Sequence, residues 1–295
     1  MLGVFGAIWR VVILGLVPAS LFAPLAASTV MVYSSSGVLN FAQGAFAFVG
    51  AYVFFYLSQM LGLPFLAAFA VAIVATFLLG RAINWLLVRP VIGQSPVVVV
   101  MMTIGLSSAL EAVVLLIFGP SQRFLVEPFG RSTVRIPGGV VMTWFDLIVV
   151  IFIAVTLGTL ALLLKYTRAG LSIRAVSDSA LLAGYWRTNS SRVVGLTWGI
   201  AFALSTVAGV AYALRTTLDT SALSLGALVF PAIIIGGMDS LVGAIVGALL
   251  LGIGSEAITL YIGGQWSDFT IYATALAVLV IRPYGLFGKR EVVRL

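Results

Sequence analysis

Residues 96–118 run Pro-Val-Val-Val-Val-Met-Met-Thr-Ile-Gly-Leu-Ser-Ser-Ala-Leu-Glu-Ala-Val-Val-Leu-Leu-Ile-Phe, with Glu111 as the one ionisable side chain. A helix of that length measures ~35 Å, which is enough to cross the ~30 Å hydrocarbon core of a bilayer. Similar runs recur at 11–33, 41–61, 64–88, 144–164, 194–214, 225–235, 241–262 and 269–281. Only 8% of the residues are charged and 62% are hydrophobic, whereas soluble domains carry about 25% charge. No water-soluble core hides that much apolar surface. The expected fold class is all-α, a polytopic integral membrane protein with about eight or nine transmembrane or re-entrant helices. Discontinuous segments fall near 34–44 and 231–243. One membrane domain, 1–295, accounts for the chain and leaves no room for a soluble catalytic domain. The first run has no small-residue cleavage site ahead of a soluble region, so it reads as a retained span.

The basic residues orient the spans. The longest polar interruption, 165–193, carries Lys165, Arg168, Arg174, Arg187 and Arg192 against a single acid, Asp178. A short loop rich in Lys and Arg belongs in the cytoplasm, and this one is long enough to hold its own helix. Arg89-Pro90 and the tail with Lys289, Arg290 and Arg294 fit the same side. The Pro/Gly-rich loop 119–143 then lies outside, although Arg123, Arg131 and Arg135 run against the rule.

Several chemistries are excluded. The net charge of +7 is spread between apolar runs, which suits topology and anionic lipid and not nucleic acid. Cysteine and histidine are both absent. Disulfides, thiolate metal sites and the commonest neutral-pH proton shuttle go with them. No Gly-x-x-x-x-Gly-Lys-[Ser/Thr] motif occurs, so any ATP hydrolysis belongs to another chain. No catalytic group and no cofactor is expected. Gly252-Ile253-Gly254-Ser255-Glu256-Ala257 imitates a dinucleotide fingerprint but sits in a span with no preceding strand. Gly243 and Gly247 form a GxxxG pair for close helix packing. Glu111, Glu256 and Arg81 lie inside apolar runs, where a charge needs a partner, a wet path or the interface.

Two polar breaks interrupt the membrane pattern, Gly37-Val38-Leu39-Asn40-Phe41-Ala42-Gln43-Gly44-Ala45 and Gly236-Gly237-Met238-Asp239-Ser240-Leu241-Val242-Gly243-Ala244. Each holds a polar residue followed at fixed spacing by Gly-Ala. Matched interruptions in two halves of a transporter point to its translocation path. An alternative assignment makes them surface loops in which Asn40 and Asp239 cap the following helices.

The first break resembles the Gly-x-x-Asn-Phe-Ala-[His/Gln]-Gly signature of the branched-chain amino acid ABC transporter permeases, the LivH/LivM family. Further stretches match in order: Arg89-Pro90-Val91, Thr103-Ile104-Gly105-Leu106-Ser107, Arg168-Ala169-Gly170-Leu171-Ser172-Ile173-Arg174-Ala175, the second break, and Arg282-Pro283-Tyr284-Gly285-Leu286-Phe287-Gly288. The likeness covers nearly the whole chain and is nearer the LivH branch. It implies a permease subunit of an importer in a bacterial inner membrane, working by alternating access. The solutes implied are branched-chain or other amino acids, amides, urea or aromatic acids. The partners implied are a second permease (paralogue or copy), two ATP-binding subunits, a solute-binding protein and membrane lipid. It also implies a substrate pathway near Asn40, Phe41, Gln43 and Gly44. ATPase docking is implied for the 165–193 loop through Asp178, Ala183, Gly184 and Arg187. Asp178, Arg187-Thr188 and Asp239 depart from the family pattern, which leaves the individual docking contacts open. The competing expectation is a stand-alone secondary transporter or channel, with Glu111 or Glu256 serving the coupling ion.

Overall fold

The structure is a computed structural model that describes residues 4–126, 132–137, 139–178, 183 and 189–288. The helices are α1 (Val4–Ser36), α2 (Gln43–Phe55), α3 (Phe65–Ile83), α4 (Pro96–Phe118), α5 (Trp144–Tyr166), α6 (Arg168–Asp178), α7 (Ser190–Arg215), α8 (Ser224–Gly236), α9 (Leu241–Tyr261) and α10 (Ser267–Ile281). Six helical segments are long and apolar enough to cross a membrane: Gly6–Ser36, Phe65–Val88, Pro96–Phe118, Trp144–Tyr166, Ser190–Arg215 and Leu241–Tyr261. The shorter apolar helices α2, α8 and α10 complete an all-α, multi-pass membrane protein.

Local chemistry sets the boundaries. Pro96 opens α4, where its missing N–H costs nothing, and Gly119 ends it at φ 75°. Asn189 caps α7 by accepting from Arg192 N at 3.1 Å. α1 continues through Ser36, so the polar stretch from Ser34 does not break it. The Ser35 and Ser36 hydroxyls both donate to the Val32 carbonyl, which lets polar residues end an apolar helix. The run 41–61 is not one regular helix. α2 gives way to a π turn at Tyr56–Met60, and α3 does the same at Asn84–Val88. The 119–143 loop holds an antiparallel hairpin that its Pro/Gly content did not announce: β1 (Thr133–Ile136) pairs with β2 (Val140–Thr143).

The described residues divide into two compact units. One comprises 31–126 and 155–227. There α7 is the buried centre, with α2 and α3 against it. Backbones touch where side chains are missing. A Cβ on Gly209 would collide with the Ala47 carbonyl, one on Gly50 with Thr206, and one on Gly80 with the Trp198 carbonyl oxygen at 2.6 Å. In lipid, apolar side chains gain little by leaving their solvent, so close packing between small residues takes over as the glue. Phe46 then stacks on Phe202 with ring centroids 4.1 Å apart.

The other unit comprises 1–30, 127–154 and 228–295. Gly252 lies on the backbone of Ala19, and Gly243 and Gly247 lie on the carbonyls of Gly236 and Ala232. After α10 the chain turns back through Gly285 (φ 72°). Leu286 N donates to Ile235 O at 2.8 Å, and Phe287 N donates to Gly236 O at 3.0 Å.

The glycine contacts give a paired test. Gly209→Ala should destabilise the protein by about 1–3 kcal/mol through overpacking. Gly158→Ala, where a Cβ meets nothing within 4 Å, should stabilise its helix by about 0.5–1 kcal/mol. Thermal unfolding in detergent, followed by size-exclusion fluorescence, compares the two.

Candidate functional site

The first break is built inside the α2–α7 unit. Gly37 closes α1 by donating its N–H to Tyr33 O at 2.7 Å, and it adopts φ 68°. The chain then runs without regular structure to Ala42. Asn40 and Gln43 are buried at 0% and 1% exposure, so each polar atom needs a partner within the protein. Asn40 Oδ1 accepts from Ala42 N at 3.0 Å, and its Nδ2 donates to Gln43 Oε1 at 3.0 Å. Gln43 Nε2 donates to Ser205 Oγ on α7 at 2.6 Å. Thr103 on α4 ties the other side: its hydroxyl receives Phe41 N at 3.3 Å and donates to Val100 O at 2.9 Å. Gly44 lies directly on the Leu223 carbonyl and on Gly226 N. Amid these buried groups Phe41 is 38% exposed. The motif therefore buries its amides and displays its aromatic ring.

Asn40 is not a helix cap in the usual sense. It bonds to the N–H of Ala42, which itself occupies the N-cap position of α2 and has no side chain that can cap it. Asp239 is not the cap of the second break either. Ser240 takes that place, accepting from Gly243 N at 3.0 Å, while Asp239 is exposed. The reason is one of register, because an N-cap oxygen must reach the N–H two or three residues on.

This unit carries further polar structure. The 119–126 and 216–223 segments are tied by reciprocal backbone bonds between Arg123 and Leu218, at 3.0 and 2.8 Å. Asp219 accepts from Ser221 N at 2.9 Å and from the Ser221 hydroxyl. It also accepts from Thr217 at 3.1 Å and from Gln122 at 3.0 Å. These bonds, Ser221's foremost, hold its carboxyl below the ordinary value of 3.8. Composition did not reveal this tie, since Gln122 and Asp219 look like ordinary loop residues. Buried donors were equally hidden: Asn84 Nδ2, Trp198 Nε1 and Arg123 Nε have no hydrogen-bond partner among the described residues.

A profile of the family described as branched-chain amino acid transport system / permease component matches residues 11–279. The chain belongs to this permease family. It is similar to the high-affinity branched-chain amino acid transport system permease protein BraD of Pseudomonas aeruginosa, at 29% identity with 94% of this chain and 95% of that one covered. It is 30% identical to the protein of the same description named LivH from Escherichia coli K12, over 94% of each chain. A probable branched-chain amino acid transport permease protein LivH of Methanocaldococcus jannaschii is 27% identical, over 92% of this chain and 89% of that one. No solved structure matches the chain.

The predicted docking residues are only partly in view. Asp178 is exposed at the end of α6, and Ala183 is 4% exposed. Gly184 and Arg187 lie outside the described residues. α6 itself is amphipathic. Gly170, Ile173 and Val176 are buried, while Arg168, Leu171 and Arg174 face out. Thr167 starts it by accepting from Gly170 N at 3.1 Å. A Cβ on Gly170 would run into the Leu163 and Leu164 carbonyls, which fixes α6 against the end of α5.

Two measurements follow. Ser205→Ala removes the buried bond from Gln43 Nε2 and should cost about 1–3 kcal/mol, read from thermal unfolding. The Asp219 tie is fully formed above the ordinary carboxylate value and is lost only as pH falls through the depressed folded one. Limited proteolysis of the 216–223 segment should therefore rise below about pH 4 and lose that dependence in Asp219→Asn.

Proposed function

We propose that the chain is one permease subunit of an ATP-driven importer in a bacterial inner membrane. It forms part of the path for branched-chain amino acids or related small solutes, and the whole chain acts as a single membrane domain. Its partners are a second permease, whether paralogue or copy, two ATP-binding subunits and a solute-binding protein. The observation that carries this reading is the family match across 11–279, which runs from the first long helix into the last apolar one. The names of the relatives support the solute class.

Within that reading the Gly37–Gly44 break lines the pathway, and its members have different tasks. Phe41 meets the solute with its exposed ring. Asn40 and Gln43 hold the loop that presents it, through the chain of bonds to Ser205. Gly44 lets that loop press against the residues before α8. Alternating access needs a seam with two discrete packings. The close glycine contacts between α3 and α7, Gly80 on the Trp198 carbonyl and Gly199 on Phe77, offer such a seam. The unpartnered donors of Asn84 and Trp198 beside that seam support it, because such groups gain most from a change of neighbours.

The cytoplasmic loop at 165–193 serves as the coupling segment. α6 offers Arg168, Arg174 and Asp178 outward on a rigid, anchored helix, so a push from below reaches α5 and α7.

Reconstitution with the ATPase and binding protein tests both assignments. Phe41→Ala should raise the KM for uptake roughly fivefold, the worth of about 1 kcal/mol of lost contact. Asp178→Lys should keep ATP hydrolysis while lowering solute carried per ATP. Wild-type uptake in the first variant removes Phe41 from the pathway, and wild-type coupling in the second removes Asp178 from the docking surface.

A further inference from the structure

α10 is short for a bilayer. Its 15 residues span ~22 Å, against ~30 Å of hydrocarbon. Aromatic residues mark one end of the α9–α10 hairpin, where Tyr261, Trp266 and Phe269 are exposed. Such rings settle at the headgroup level. The other end of α10 carries Arg282, also exposed. Between these ends, α9, α10 and the returning C-terminal turn border an open cavity of about 290 Å³, lined by Ile235, Leu251, Gly254, Ile271, Val278 and Leu286 among others. Its walls are almost wholly apolar, and a Cβ on Gly254 would meet nothing within 4 Å. The outer faces around it are aliphatic, with Leu276, Leu279 and Val280 exposed, as suits contact with lipid.

Arg282 sits where a charged head would be needed. Its N–H donates to the carbonyl of the lining residue Val278 at 2.6 Å, so it follows that residue by one helical turn. Its own carbonyl accepts from Gly285 N at 2.9 Å, directly before the lining residue Leu286. The backbone of Arg282 is thus tethered between two segments that line the apolar cavity, and its side chain is exposed beside them. A hydrated cation at the interface attracts anionic headgroups, and each such charge is worth about 1 kcal/mol near an anionic surface. A span shorter than the hydrocarbon draws the bilayer thinner around it and lets a flanking cation such as Arg282 snorkel to the headgroups.

We propose that this cavity is a binding site for one anionic phospholipid, with an acyl chain between α9 and α10 and the phosphate on Arg282. The lipid then belongs to the fold: it fills the gap beside Gly254 and holds the C-terminal turn against Ile235 and Gly236. The proposal needs only that the chain spans a membrane, so it stands or falls apart from the transport assignment.

The test titrates purified permease in mild detergent with phosphatidylglycerol or phosphatidylcholine. Unfolding temperature, bound phospholipid and chains per particle are measured together. Wild type should retain phosphatidylglycerol preferentially and gain ~3 °C or more, the size expected of one saturated site. Gly254→Leu, which fills open space, should lose both the retained lipid and the shift. Arg282→Gln should lose only the preference for the anionic lipid. The proposal is overturned if Gly254→Leu binds and responds like wild type. It is equally overturned if that variant changes only the number of chains per particle, since a second copy would then occupy the groove. Equal responses of wild type to the two lipids remove the role of Arg282.

Discussion

A polar group held at membrane depth is costly unless it finds a partner within the protein, because hydrocarbon offers none. Much of this architecture answers that demand. Asn40 and Gln43 interrupt an apolar sequence, and their amides are consumed by each other, by the backbone of Ala42 and by Ser205. Thr76 and Thr206 bond to each other across α3 and α7 at 2.9 Å while each also serves its own helix. Ser35 and Thr197 do the same between α1 and α7 at 2.8 Å. These nodes give direction to contacts that hydrophobic attraction alone leaves undirected in lipid.

The nodes form only because the helices come close, and glycine brings them there. Gly50 sits on Thr206, one turn along α2 from Phe46, whose ring stacks on Phe202. Hydroxyl pairs, ring stacks and bare backbone thus all converge on α7. The same logic in the other unit places Gly243 and Gly247 under the end of α8. There the partner is the preceding helix of the same chain, so the GxxxG pair is engaged within the protomer.

The long spans were legible because a run of apolar residues bounded by Pro, Gly or charge has few alternatives in a membrane. The run at 96–118 coincides with α4, and the basic loop does contain a helix, α6. What escaped depends on hydrogen bonds that pattern does not encode. Ser35 and Ser36 look like a break but fold back onto Val32. Asp239 and Ser240 are both good caps, and only their register in the structure selects Ser240. The β1–β2 hairpin hides in a segment read for its prolines and glycines. The motif around Asn40 was visible as an anomaly, yet sequence could not say that Phe41 is displayed while the amides are buried.

The return of the C-terminal turn onto the second break sets an order of assembly. The carbonyls of Ile235 and Gly236 end a helix and would otherwise lie open; their donors, Leu286 and Phe287, arrive only after the whole α9–α10 hairpin has been made. During synthesis this end of α8 therefore waits, partly unsatisfied, while later segments enter the bilayer. The end of α8 is thus completed by residues that lie about fifty positions further along the chain, so the stability of this helix terminus depends on the hairpin that follows it.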